Sequence, residues 1–315
     1  MRFVSFSTPE LPDSHLGMVQ GDEVLDVDLA ATALNLRGPD QALELIEQYA
    51  RGQVVLRAIM ARATGRRFSE VRVFAETGSV RELDNVQLAA PIPYPRRNIM
   101  CLGLNYADHA QETAALRGRP GDAPDYPIFF TKAPTTVNGP FGDIVIDPAV
   151  STAVDWEAEL GVIIGKTGKN IRAEDALDYV FGYTIINDVT ARDLQSRHKQ
   201  YFKGKSIDGY CPMGPWIVTA DEIPDPQNLA VRLRVNGVTK QDGNTSMMIF
   251  SVREIIASLS LGMTLESGDI IATGTPSGVG FARNPPEYLQ PGDVMETEIV
   301  GIGIMRNQVK VRTER

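Results

Sequence analysis

Cysteine is almost missing from this 315-residue chain, and histidine is nearly as rare, with two of the first and three of the second. Cys101 and Cys211 stand far apart and form no CxxC pair, which excludes a disulfide framework and a cysteine-based zinc site. A reducing, cytoplasmic setting is the expectation. No apolar run approaches the ~18 residues that span a bilayer, and Met1 to Phe6 is too short in apolar residues for a signal peptide. Positive charge is also in deficit: 31 Lys+Arg against 40 Asp+Glu leave a formal net charge of -9. That argues against a nucleic acid or an anionic membrane as partner. A small anionic substrate remains open, because a local cluster of cations or a metal can reverse the field in one cleft. GxGxxG and HExxH are absent. Gly204-Lys205-Ser206 resembles the tail of a phosphate loop, but Lys199 stands where that loop needs a glycine.

What remains is an ordinary globular composition, 43% hydrophobic and 23% charged, able to bury a sizeable core. Residues 1–92 read as a small α+β domain. Strand-like runs at 2–6, 15–19 and 23–27 include a hairpin turned at Gly21-Asp22. A helix opened by Pro39-Asp40 places Ala42, Leu45, Ile46 and Tyr49 on one face, and Gly52 is expected to interrupt it before a second helical piece carrying Val55, Ile59 and Met60. The Pro-rich stretch 89–97 enforces extended backbone and marks the connection to a second domain, 93–315.

The second domain carries the chemistry. In Asp155-Trp156-Glu157-Ala158-Glu159-Leu160-Gly161, Glu157 and Glu159 are two apart, so on a strand they share a face while Trp156, Ala158 and Leu160 take the other. Paired acids beside a core need a counter-charge, and a hard divalent cation supplies it; a half-exposed strand with a polar outer face is the plainer alternative. His109 and Glu112 are spaced i, i+3 at a helix start, where a carboxylate can orient an imidazole as general base; a surface pair without a role has the same spacing. Asp188 ends a buried strand at 180–187. Thr190 is placed to cap a helix running to about Tyr201, with Arg192, Gln195 and Lys199 on one face, suited to a carboxylate ligand or simply solvated. The segment 116–126, with two glycines and two prolines, reads as a lid or a surface loop. Residues 273–280, Thr-Gly-Thr-Pro-Ser-Gly-Val-Gly, permit close backbone approach to a ligand or form a tight turn.

Taken in order, Gly103-Leu104-Asn105-Tyr106-Ala107-Asp108-His109 with Glu112, the acidic strand, Asn187-Asp188-Val189-Thr190-Ala191-Arg192-Asp193-Leu194-Gln195, Gly204-Lys205-Ser206 and the 273–280 stretch resemble the fumarylacetoacetate hydrolase family. The resemblance covers about residues 98–312. It implies an α+β, mostly β fold, with a mixed β-roll or sandwich catalytic domain, assembled as a homodimer. It assigns Glu157, Glu159 and Asp188 as ligands of Mg2+ or Mn2+, with Ca2+ a further option, and leaves open whether Asp108 adds another. His109 and Glu112 become a water-activating dyad and Lys205 the cation near the substrate oxygen. Arg192, Gln195, Gly274 and Thr275 become the holders of a small 2-oxo acid. The reaction expected is hydrolytic cleavage of a 2,4-dioxo acid to pyruvate and a second acid. The alternatives are decarboxylation of an oxaloacetate-like acid and isomerisation of an unsaturated 2-oxo acid, which use the same enolate without water; a metal-stabilised scaffold without activity is the reading from another class.

Overall fold

In the computed structural model, residues 1–116 and 124–312 are described. The fold is α+β and mostly β. A twelve-stranded sheet runs, in spatial order, through Val80–Glu82, Glu23–Asp26, His15–Gln20, Arg2–Ser7, Cys211–Thr219, Val180–Asn187, Ala158–Ile164, Ile270–Ala272, Ile99–Gly103 and Ile128–Lys132, with two short strands paired off this path. A five-stranded sheet, Val238–Asn244, Ala230–Val235, Val294–Ile299, Gly303–Val311 and Ile144–Ile146, faces part of it.

The alternation expected for the acidic strand is observed. Trp156, Ala158, Leu160 and Val162 enter one core with Leu233, Met295 and Met305 of the second sheet, whereas Ile163 on the other face joins Cys101, Ile186, Cys211 and the N-terminal helices. Both faces are therefore covered, and the strand is buried throughout. This excludes the half-exposed alternative and leaves Glu159 in a core.

The N-terminal residues extend the same twelve-stranded sheet: Arg2 and Phe3 pair with Val218 and Ile217. Helices Ala42–Glu47 and Tyr49–Ala63 break at Gln48, four residues before the position expected. Gly52 lies inside the second helix and faces Leu45, whose Cδ1 would lie 2.5 Å from a β-carbon there. The glycine serves close packing and not helix termination.

Two further local expectations change. Thr190 belongs to a two-residue strand with Ala191 that pairs with Val154–Asp155, and its hydroxyl donates to the Asp188 carbonyl at 2.8 Å. The helix after it spans Arg192–Arg197 and starts from Ala191 without a side-chain cap. Lys199, at φ 59°, lies beyond that helix and leaves the Arg192–Gln195 face. The 116–126 segment falls largely on residues 117–123, outside the described residues.

Asn105 ties these parts together. Fully buried, it donates to the carbonyls of Phe250 and Thr273 at 3.1 and 2.8 Å and accepts from Phe250 N at 2.9 Å. It thus fixes the start of the 273–280 loop beside the helix that carries His109. Asn105→Ala removes three hydrogen bonds, one fully and two partly buried, and strands their partners, so it is expected to cost about 3 kcal/mol. Urea unfolding checks this, and a loss below about 1 kcal/mol would mean that the partners find water.

Candidate active site

Glu157, Glu159 and Asp188 converge: one carboxylate oxygen of each lies within 4.8 Å of the others, and all three residues are buried. Glu159 is placed by the strand Ala158–Ile164. Glu157 precedes that strand, and its backbone is fixed by Asn187, whose Oδ1 accepts from Glu157 N at 3.0 Å. Asp188 N in turn donates to Glu157 O at 2.8 Å. The Asn187-Asp188 pair therefore aligns two carboxylates, one through its amide and one directly.

Cations surround two of the three acids. Lys205 Nζ sits 2.8 Å from Glu157 Oε2 and 2.7 Å from Asp188 Oδ2. Lys132, fully buried, donates to Asp188 Oδ1 at 2.7 Å and to Val189 O at 3.1 Å. Arg192 Nη2 lies 2.7 Å from Glu157 Oε1. Burial alone would push Glu157 up, but Lys205 and Arg192, followed by His109, bring it down to about 2. Burial also works against the charged form of Lys205, yet Asp188 and Glu157 hold its pKa above the ordinary lysine value.

Glu159 has no such partner. Its Oε2 accepts Gly274 N at 2.8 Å, whereas the buried Oε1 has no hydrogen bond. Burial first, then the charges of Asp188 and Glu157, hold its carboxyl well above the usual carboxylate range. An orphaned carboxylate oxygen facing two further carboxylates is the donor set of a hard divalent cation, so the residues fit Mg2+ or Mn2+. Such an ion would supply the charge that Glu159 lacks.

His109, on the helix Ala107–Leu116, presents Nδ1 to Glu112 Oε2 at 3.3 Å. Both oxygens of Glu112 also accept Gly278 N at 3.2 Å. Asp108 does not join the acidic triad; it accepts the Ser277 hydroxyl at 2.6 Å. The helix is thereby latched to the 273–280 loop. His109, Glu157, Arg192, Gln195, Lys205 and Thr275 line one cleft, walled by Leu104, Phe130, Tyr201 and Phe281. A larger groove, of about 890 Å³, lies between residues 7–12, 84–89 and 138–142; the smaller cleft, which brings His109, Arg192 and Lys205 together with Glu157 of the triad, is the candidate site.

Two expected substrate holders are engaged elsewhere. Thr275 lines the cleft, but its hydroxyl donates to Ala158 O at 2.9 Å and accepts from Gln241 at 2.8 Å. Gly274 N is taken by Glu159. Lys132 and Asp155 were not expected in the site. Lys132 shares a strand face with Phe130 and ends its strand, a two-residue period that could have pointed to it; its partner Asp188 is 56 residues away. Burial raises the Cys211 thiol to about 12 and Cys101 is likewise raised, so neither supplies a thiolate nucleophile at neutral pH.

The fumarylacetoacetate hydrolase C-terminal family matches residues 98–310. The chain belongs to this family. The oxaloacetate tautomerase YisK of Bacillus subtilis is 54% identical over 236 residues, covering 74% of this chain and 77% of the relative. The mitochondrial oxaloacetate tautomerase Fahd2a of Rattus norvegicus is 39% identical over 310 residues, 98% of this chain and 91% of the relative. The solved structure of fumarylacetoacetate hydrolase from psychrophilic Exiguobacterium antarcticum matches with a TM-score of 0.79 at 41% identity, covering 99% of this chain and 100% of that one. Among the described residues, no helix is long and apolar enough to cross a membrane.

The acidic triad gives a signed expectation for pH. A carboxyl raised in the folded state contributes stability below its unfolded value near 4.3 and loses it as pH rises through the folded value. Glu159→Gln removes this liability while its amide oxygen can still accept from Gly274. Without metal, the variant is therefore expected to melt at or above the wild-type temperature at pH 8. Mn2+ should no longer raise that temperature. A metal-free variant melting clearly below wild type would contradict an unpaired Glu159.

Proposed function

We propose that this protein is an enzyme that interconverts the keto and enol forms of a small 2-oxo diacid of the oxaloacetate type. The observation that carries this reading is the placement of one oriented imidazole, His109, in a cleft it shares with the buried cations Arg192 and Lys205 and the Glu157 carboxylate. Enolisation moves one proton from carbon 3 and delivers one to the 2-oxo oxygen, and no atom is gained or lost. With Nδ1 turned to Glu112, His109 has Nε2 to take the proton from carbon, and Glu112 stabilises the imidazolium that results. The Lys205 ammonium, which lines the same cleft, would stabilise the negative charge that develops on the 2-oxo oxygen. Arg192 and Gln195 hold a carboxylate through a planar fork and an amide. A divalent ion held by Glu157, Glu159 and Asp188 would supply Lewis-acid stabilisation of that charge.

The names of the Bacillus subtilis and rat relatives support enolisation over the hydrolytic reaction expected from the dyad. Decarboxylation of the same acid uses the same groups. Hydrolysis of a 2,4-dioxo acid remains the second reading, favoured by the His109–Glu112 contact and by the name of the Exiguobacterium antarcticum structure.

With Mg2+ or Mn2+ present, the enol absorbance of oxaloacetate should relax faster in the presence of the protein, without matching release of pyruvate and CO2. Acylpyruvate cleavage without enol relaxation would establish the hydrolase in its place. His109→Ala is expected to lower kcat by about 10²- to 10⁴-fold, with Mn2+ affinity unchanged by calorimetry. Wild-type turnover in that variant would remove the imidazole from the reaction.

A further inference from the structure

Asp155 is an acid of the central motif that belongs neither to the acidic triad nor to the proton-transfer pair. It is fully buried and heavily used. Its Oδ1 accepts Trp156 N at 2.8 Å and Gly280 N at 2.7 Å. Its Oδ2 accepts Phe281 N at 3.0 Å and Arg192 Nε at 2.8 Å, and Arg192 Nη2 lies within ion-pair distance of the same oxygen at 2.8 Å. The backbone leaves little freedom here, because Asp155 pairs with Thr190 in a short ladder and Arg192 N donates to Ala153 O at 2.9 Å. Gly280 is required by the approach, since a β-carbon would stand 2.6 Å from Asp155 Oδ1 and 2.1 Å from Glu287 O.

Arg192 is thus held on three sides. Asp155 takes the Nε edge, the Phe281 ring lies 4.2 Å from the guanidinium carbon, and Nη1 donates to Gln195 Oε1 at 3.2 Å. Glu157 competes for the same group, with Oε1 2.7 Å from Nη2. A guanidinium released beside a buried carboxylate closes on it through two parallel hydrogen bonds. Arg192 would then spend its fork on Glu157 and have none for a ligand.

We propose that Asp155 and Phe281 form a clamp that positions Arg192 for the substrate carboxylate and limits its contact with Glu157 to the Nη2 edge. Asp155 is a positioning residue, acting through Arg192. The inference rests on the substrate role given to Arg192 above.

A double-mutant cycle on the full chain with Mg2+ tests it, using Asp155→Asn, Arg192→Gln and the pair, with oxaloacetate as substrate. Each single change is expected to raise KM about tenfold with kcat within about threefold, because uniform ligand binding is lost. The pair should show no further rise, the non-additivity of two groups acting through one. Rises that multiply in the pair would overturn the clamp, as would an unchanged KM in Asp155→Asn when Arg192→Gln raises it. An unchanged KM in Arg192→Gln removes the substrate role of Arg192, and the clamp with it.

If the wild-type protein does not turn over oxaloacetate, the proposed reaction fails, and the cycle is then read from the calorimetric Kd of oxalate in the same four proteins. No oxalate binding by the wild type would overturn the clamp. If Asp155→Asn does not fold, Phe281→Leu replaces it in the cycle; a KM or Kd equal to wild type in that variant overturns the clamp, and a rise that disappears on the Arg192→Gln background supports it.

Discussion

Four carboxylates, Asp155, Glu157, Glu159 and Asp188, share the interior of one sheet end with three cations, Lys132, Arg192 and Lys205. Removing an ion from water costs several kcal/mol even after relaxation, so each charge in this cluster is tolerated only through its partner. The inventory is one cation short. Lys132 and Lys205 divide the oxygens of Asp188, while Arg192 and Lys205 divide those of Glu157. Glu159 receives one backbone N–H and retains an orphaned oxygen. That imbalance, more than the presence of acids, makes the centre a candidate for a divalent cation.

The elements around the cluster follow from it. A carboxylate two residues from another on a fully buried strand needs a neighbour to supply charge, and the strand end at Asn187-Asp188 supplies alignment before the Arg192 helix and Lys205 supply cations. The 273–281 loop closes the arrangement from the other side. Its backbone N–H groups go to Glu159, Glu112 and Asp155 in turn, so one loop registers the triad, the imidazole pair and the arginine clamp against each other.

The legible parts of the site were those set by local period. Glu157 and Glu159 share a face because strand side chains alternate, and His109 meets Glu112 because helix neighbours recur at three and four residues. Asp188 was visible as the acid closing an apolar run. The illegible parts depend on contacts across the fold. Lys132 reaches Asp188 across 56 positions, and Asp155 reaches Gly280 across 125. Thr275 and Gly274 looked like ligand holders because their residue types suit that task, but nothing local announced that Ala158 and Glu159 would occupy them. Gly52 departs from its expected role for a related reason: the helix-breaking tendency of glycine is local, whereas its use against Leu45 is a matter of packing.

The pairing of Arg2–Ser7 with Cys211–Thr219 has a consequence for how such chains can diversify. The strand Cys211–Thr219 lies next to Val180–Asn187, the strand that ends at the triad. Without the N-terminal ladder, its edge would offer unpaired N–H and C=O groups beside Ile217 and Val218, a template for uncontrolled strand addition. A relative that exchanges the N-terminal unit must bring another cover for that edge. The N-terminal unit is therefore tied, one strand away, to the sheet end that holds Asp188 still.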